Sequence, residues 1–276
     1  MLFAAFWKRN LGFFKLAIAT NLEYRLNFLI DAVLQPTVTS GIEMLLWWAV
    51  FQSVETMNSS GLTQVAGFTR EYYLSYALWS AFMARVTTSW MYEFRMVEEI
   101  NSGTVNSLLV RPLSFYEYYF SQLMGYKFIT TTFSFIVPVI LVLAFNLPTH
   151  FDRFPLALLL AFYYLILIHS ISFLVTTMAF FVTKVNSLTM AKNLMIWVLT
   201  GELVPIDLMP GWLRDILLAM PFSSGAFLPV GYITGRIGFD FVMRGFLNVS
   251  ISLVIVNILG AYFWKKGLQN YVGTGA

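Results

Sequence analysis

The chain has 276 residues, of which 58% are hydrophobic and 11% charged, with a formal net charge of +3 and no cysteine. Soluble domains carry about 25% charged residues, so too little polar surface remains here to cover a water-soluble globule. Apolar runs of about 20 residues recur throughout, the length a helix needs to cross a hydrocarbon layer about 30 Å thick; without cysteine, disulfides and thiolate metal sites are excluded.

Residues 1–27 set Phe3, Phe6, Leu11, Phe14 and Leu22 among Lys8, Arg9, Lys15 and Arg25, a pattern that predicts an amphipathic helix lying in the membrane interface. Its basic residues follow the first apolar ones and no small-residue cleavage site comes after, unlike a secretory signal. Residues 28–276 read as one six-span domain. The first span, about 28–51, holds Asp31, Pro36 and Glu43, and the second, about 72–92, holds Arg85. Between them lies a polar loop that includes Asn58-Ser59-Ser60, a glycosylation triplet too short to weigh. A charged segment, 92–122, leads to the third span at about 128–145, and the fourth, 154–182, is long enough to tilt. The fifth starts at Leu188, meets Lys192 and stops at Gly201. After it, residues 201–240 are too apolar for an open loop, while Pro205, Pro210 and Pro221 deny a continuous helix. A re-entrant pair of short outer helices satisfies both constraints, because irregular backbone at membrane depth is tolerated only where protein or a polar cavity surrounds it; an interfacial loop anchored by Trp212 is the plainer reading. The last span, about 246–264, ends at Trp264, Lys265 and Lys266, an interface anchor.

Six crossings place both termini on one side. With cytoplasmic ends, eleven basic residues fall inside (Lys8, Arg9, Lys15, Arg25, Arg95, Arg111, Lys127, Lys184, Lys192, Lys265, Lys266) and five outside (Arg70, Arg153, Arg214, Arg236, Arg244), the asymmetry expected of cytoplasmic loops. That asymmetry accounts for the basic excess, so no nucleic-acid partner is implied.

Two stretches resemble a known family. "TGELVPIDLMPGWLRDILLAMPF", with Gly201, Pro205, Met-Pro-Gly-Trp-Leu and a closing Pro221-Phe222, is similar to the signature of permease subunits of type-2 ATP-binding-cassette transporters. "EEINSGTVNSLLVRPLSFYEYY" resembles the Gly-to-Arg-Pro element of a bacterial, drug-export-like subfamily of that group. The resemblance implies an amino-terminal amphipathic helix, six spans, a re-entrant outer pair after the fifth, and residence in the bacterial inner membrane. It also implies a second permease, identical or paralogous, and separate cytoplasmic ATPase subunits that bind ATP and Mg. Glu98, Glu99, Gly103, Arg111 and Pro112 are then the expected contact with the ATPase, in a short helix loosened at Gly103 and closed by Pro112. Charges there would set register and specificity more than raw affinity.

The chain has no G-x-x-x-x-G-K-[ST] phosphate loop, no G-x-S-x-G and no H-E-x-x-H, and His150 and His169 stand alone, so neither ATP hydrolysis nor a metal or catalytic site is expected within it. Ionisable residues within spans face a bundle interior or a wet cavity. Glu43, Arg85 and Glu202 are accordingly candidates for a translocation path, with Glu43 and Glu202 favouring a cationic or amphipathic substrate. The same residues also suit helix fastening, with the acids paired to Arg85. A shift of about two to four residues in the span boundaries would put Asp31 near the cytoplasmic interface and Arg85 in the outer half. The rings Trp47, Trp48, Tyr72, Tyr73 and Trp79 suit an interfacial belt or an aromatic cage. Two other classes stay open on the residues: a proton-coupled secondary transporter and a membrane scaffold.

Overall fold

A computed structural model describes residues 2–57, 64–65, 67–182 and 184–271, with side chains described from residue 9 except at 55–57 and 270. The glycosylation triplet and the side chains of Phe3, Phe6 and Lys8 lie outside the described residues. The fold is all-helical: α1 (Leu2–Glu23), α2 (Arg25–Leu29), α3 (Gln35–Met57), α4 (Arg70–Thr87), α5 (Trp90–Asn101), α6 (Asn106–Leu109), α7 (Phe115–Ser134), α8 (Ile136–Ala144), α9 (Phe154–Thr177), α10 (Val185–Leu199), α11 (Gly211–Ala219), α12 (Phe227–Ile233) and α13 (Phe239–Asn270). Four stretches are long and apolar enough to cross a membrane: Arg25–Val54, Phe115–Ala144, Phe151–Phe180 and Phe239–Gln269. These carry the expected first, third, fourth and sixth spans. α4 and α10, where the second and fifth were expected, are not among them. α10 has 15 residues, about 22 Å at 1.5 Å per residue.

The first long helix shows how local chemistry shapes the bundle. Pro36 has no N–H to give to the carbonyl four residues back and its ring crowds that turn. The chain responds by widening into a π turn over Ile30–Leu34, with the Gln35 N–H reaching Ile30 O. The carbonyl of Ala32 that Pro36 leaves free lies 2.7 Å from the Ser134 hydroxyl of α7, which also contacts Thr130 O at 2.6 Å. A helix defect thus becomes a tie between two helices. Asp31 sits inside the widened turn.

α4 is buried on nearly every side: Tyr73, Tyr76, Leu78, Trp79 and Met83 are all enclosed, with α3, α7, α8, α9 and α12 packed around them. Several of its polar groups find partners on those neighbours, though the buried Tyr72 hydroxyl has none among the described residues. Ser75 donates to Pro148 O at 2.7 Å, Trp79 Nε1 to Thr149 Oγ1 at 2.9 Å, and Tyr76 OH to Gly201 O at 2.6 Å. On the far side, α9 and α13 run parallel. Tyr163 meets Ser250, Ser170 meets Asn257, and Phe180 lies where a Cβ on Gly267 would go. Because parallel neighbours begin at the same end, the chain between them must return the length of the bundle, and α10 does so. Trp264 departs from the expected anchor role: it stacks on Phe115 at 5.0 Å and packs against Phe173 and Phe180.

The helix containing the third span starts at Phe115, 13 residues before the expected boundary at 128, because Ser114 caps it by accepting the Glu117 N–H at 3.4 Å. Ser114 and Glu117 have the spacing of a capping box. α1 lies along this early part of α7. Its packed face is Asn10, Phe13, Phe14 and Ala17, while Leu11 and Leu22, expected on the apolar face, point outward. Phe13 meets Tyr118 edge-on at 5.0 Å and Ser121 donates to Asn10 Oδ1 at 3.1 Å. The closest approach is at Gly125, where an added Cβ would stand 2.5 Å from Phe14 O and 2.9 Å from Ala17 Cβ. Gly125→Val is expected to lift α1 from α7 at a cost of about 1–3 kcal/mol, read as faster hydrogen exchange confined to residues 9–21 and a lower melting temperature in detergent.

Candidate functional site

A cavity of about 400 Å³ opens between the first long helix, α4, α7, α9 and α10. One end is polar. Arg85 donates to Gln35 Oε1 and to Tyr126 OH, both at 3.1 Å, and stands 3.9 Å from Asp31, to which Tyr126 OH also donates at 3.3 Å. Lys127, wholly buried, donates to the carbonyl of Arg85 and to Thr88 Oγ1. Its ammonium therefore caps the carbonyl end of α4, a favourable place for a cation. Arg85 consequently sits level with Asp31 near the start of the first long helix. Its ion-pair partner is Asp31, not Glu43 or Glu202.

The other end of the cavity is acidic. Glu202 lines it beside Tyr164, Trp197 and Thr200. Glu43 stands one helical turn beyond Thr39 on the cavity wall, accepts the Ser80 hydroxyl at 3.3 Å, and is within electrostatic reach of Glu202. Among the described residues neither carboxylate has a basic partner within 4 Å. Of the three path candidates, then, Arg85 and Glu202 share one cavity at opposite ends, and Glu43 joins Glu202. The aromatic residues proposed as a cage do not line this cavity: Trp47 stacks on Tyr73 at 4.4 Å, Trp79 fills the core against Phe154, and Trp48 lies under Arg70.

Below the polar end, the charged segment folds as a compact unit. Tyr92, Met96, Ile100, Val105 and Leu108 pack on Phe115, Tyr119 and Leu123. Gly103 lies in the turn between α5 and α6. With φ +78° it takes the left-handed conformation that ends α5, and Val105 N–H returns to Glu99 O at 2.9 Å. Glu98, Arg111 and Pro112 are exposed, and Glu99 is partly covered and 3.9 Å from Arg95. Arg9 of α1 reaches the carbonyl of Pro112 at 2.8 Å and Glu117 at 3.2 Å. The amino-terminal helix and this segment are thereby one block.

The most buried ion pair was not visible in the sequence. Glu93, in the first turn of α5 and 0% exposed, meets Lys192 of α10 at 2.5 Å, and Ser172 of α9 donates to the same carboxylate oxygen at 2.9 Å. The charged segment is thus locked to α9 and α10 at once. α10 in turn leads to Gly201, whose φ is +77° and whose Cβ, if added, would stand 2.9 Å from Ile206 and 3.1 Å from Phe227. Phe227 N–H donates to Thr200 O at 3.0 Å, so the chain leaves at 201 and returns at 227. Pro205 and Pro210 occupy the N-caps of a 3₁₀ turn and of α11, and Pro221 opens another 3₁₀ turn, so the prolines start short helices here. Trp212 is 69% exposed on α11, whereas α12 is enclosed by α4, α9 and α13.

Residues 37–275 match the family model described as "ABC-2 family transporter protein". The chain belongs to that family. No curated protein matches it. The ABC-2 permease is the non-catalytic membrane component of an ABC exporter, a multi-pass membrane protein whose family works with ABC ATPase subunits. The sequence marks Glu93 only as part of a charged run, and it counts Lys127 and Lys192 among the cytoplasmic charges, whereas Lys127 is buried in α7 and Lys192 is largely covered in α10. Without those two lysines the basic residues still divide nine against five. Removing one partner of a buried pair leaves an uncompensated charge. Lys192→Met in this permease is therefore expected to destabilise it by about 3–5 kcal/mol, with most of that recovered in the double variant Glu93→Met/Lys192→Met, read by thermal unfolding in detergent. Equal losses in single and double variants would show that the pair is not coupled.

Proposed function

We propose that this permease pairs with a second permease, identical or paralogous, to form the translocation path of an exporter driven by separate cytoplasmic ATPases that hold ATP and Mg. The observation that carries this reading is the single cavity lined both by the first turn of α5 and by Glu202 at the head of the outer segment. A contact made outside the membrane on Glu98, Glu99, Gly103, Arg111 and Pro112 would move a rigid block, and the Glu93–Lys192 pair would pass that movement to α10 and the cavity wall. For ATP to drive the cycle it must bind one arrangement of this block more tightly than the other.

In this reading the chain crosses the membrane six times with both termini cytoplasmic, and residues 201–240 form the re-entrant outer segment. α4 and α10 serve as the second and fifth spans. α4 is surrounded by protein, so its polar side chains meet partners instead of lipid, which removes the need for an apolar surface. The substrate is an amphipathic or lipid-like compound with a cationic group. Arg85 and Lys127 already have partners at the inner end, whereas Glu43 and Glu202 offer two carboxylates without counter-ions at the outer end. Arg85 serves the path by holding Asp31 and Tyr126 in place.

Native mass spectrometry of the tagged permease from its own host, with ATP hydrolysis assayed on the same sample, tests the assembly. The expected result is an ATPase subunit in the complex and turnover that disappears when residues 103–112 are replaced by a flexible linker. Glu43→Gln and Glu202→Gln are expected to lower transport of cationic amphiphiles at least about tenfold, on the scale of one lost charge-assisted hydrogen bond, while the assembly persists. A stable assembly with no ATPase and no turnover would overturn the exporter reading, and proton-driven flux abolished by either substitution would replace it with a secondary transporter.

A further inference from the structure

A second cavity, of about 710 Å³, lies at the opposite end of the bundle from the charged segment, between α11, α12 and the start of α13. Phe227, Leu228 and Ile237 give it an apolar wall, and three arginines, Arg214, Arg236 and Arg244, and two acids, Asp207 and Asp215, also line it. Arg236 is fully engaged, forming a two-pronged pair with Asp207 at 3.1 and 3.3 Å and stacking 3.8 Å over Phe68. Arg214 has only its chain neighbour Asp215, at 3.5 Å and largely exposed, a kind of pair that contributes little. Arg244 has no carboxylate within 4 Å among the described residues and rests beside the Phe241 ring at 5.5 Å. Two guanidinium groups on facing helices, α11 and α13, are thus left to meet an anion.

The surface below the cavity identifies the anion. Leu247, Ile251, Val254, Ile255 and Ile258 are exposed along α13 at helical spacing, forming an apolar stripe that begins one turn after Arg244. Arg244 lies five residues into a membrane-crossing helix, about 7 Å from its start at 1.5 Å per residue, the depth of the headgroup layer. A free anion would use the guanidinium groups alone. A phospholipid uses both features, with its phosphate between Arg214 and Arg244, where guanidinium forks match phosphate oxygens, and an acyl chain along the stripe.

We propose that this cavity binds an anionic phospholipid of the leaflet in which α13 begins, through Arg214 and Arg244. The site rests on α13 crossing the membrane and is independent of what the permease transports. The test is native mass spectrometry of the detergent-purified protein offered phosphatidylglycerol and phosphatidylcholine with the same acyl chains, with inorganic phosphate as a competitor. The expected result is retention of phosphatidylglycerol over phosphatidylcholine by at least about tenfold, the loss of that preference in Arg214→Gln/Arg244→Gln, and its partial survival in Arg244→Lys, which keeps the charge without the fork. Equal retention of the two lipids by the unaltered protein would overturn the proposal whatever the variants do. An undiminished preference in a correctly assembled double variant would also overturn it, as would displacement of the lipid by millimolar phosphate with equal thermal stabilisation, which would make this a free-anion site.

Discussion

A polypeptide in lipid must satisfy its polar groups from within, and α4 is where this fold meets that demand. Ser75, Tyr76, Trp79, Ser80 and Arg85 lie along one helix, and between them they bond to three parts of the chain: the loop before α9, the carbonyl of Gly201, and Glu43 and Gln35 of the first long helix. Each bond fixes a neighbour as much as it satisfies α4. The helices around it can therefore be apolar on their outer faces and still take up defined positions, because polar contacts specify register where van der Waals packing alone discriminates weakly between similar apolar surfaces.

The same demand explains why the route from the charged segment to the outer end is ionic at its base. Burying a carboxylate and an ammonium together gives little net stability compared with apolar side chains of the same size, so the Glu93–Lys192 pair is poorly explained as a stabiliser. Its placement fits transmission better. The pair stands where α5 leaves the core, Ser172 of α9 holds the same carboxylate oxygen, and the ammonium belongs to the helix that ends at the Gly201 turn. In the proposed coupling, a displacement of α5 that separated the pair would leave a charge in a low-dielectric surround, which favours α10 moving with it.

What the sequence revealed follows the same division. The long apolar helices, the break after the fifth span and the compact charged segment were legible because periodicity, proline and charge are local signals. α4 was legible only as an apolar stretch with one arginine, since hydropathy measures contact with lipid and α4 is enclosed by protein. The early start of α7 had a signal, Ser114 and Glu117 three residues apart, that was passed over in favour of hydropathy. The partners of Glu93, Arg85 and Lys127 had none: they lie 99, 54 and 42 residues away along the chain in the pairs with Lys192, Asp31 and the carbonyl of Arg85, and only the packing of helices brings them together.

The two ends of the main cavity show how far that packing determines chemistry. Four charged residues line it, and counting alone would make it neutral. The fold instead assigns Arg85 to Asp31 and Lys127 to the carbonyl end of α4, which leaves the acidic end, where Glu43 and Glu202 approach each other, without compensation. Two acidic side chains without a basic partner among the described residues, beside a Tyr164 hydroxyl and a Trp197 Nε1 that are buried without a hydrogen-bond partner there, favour whatever positive charge enters. The position of the Gly201 turn makes that entry consequential. Glu202 follows directly on a residue whose left-handed conformation and tight contacts with Ile206 and Phe227 tie it to the segment after α10, so in the proposed cycle a cation drawn to Glu202 would act on the same turn that α10 would move.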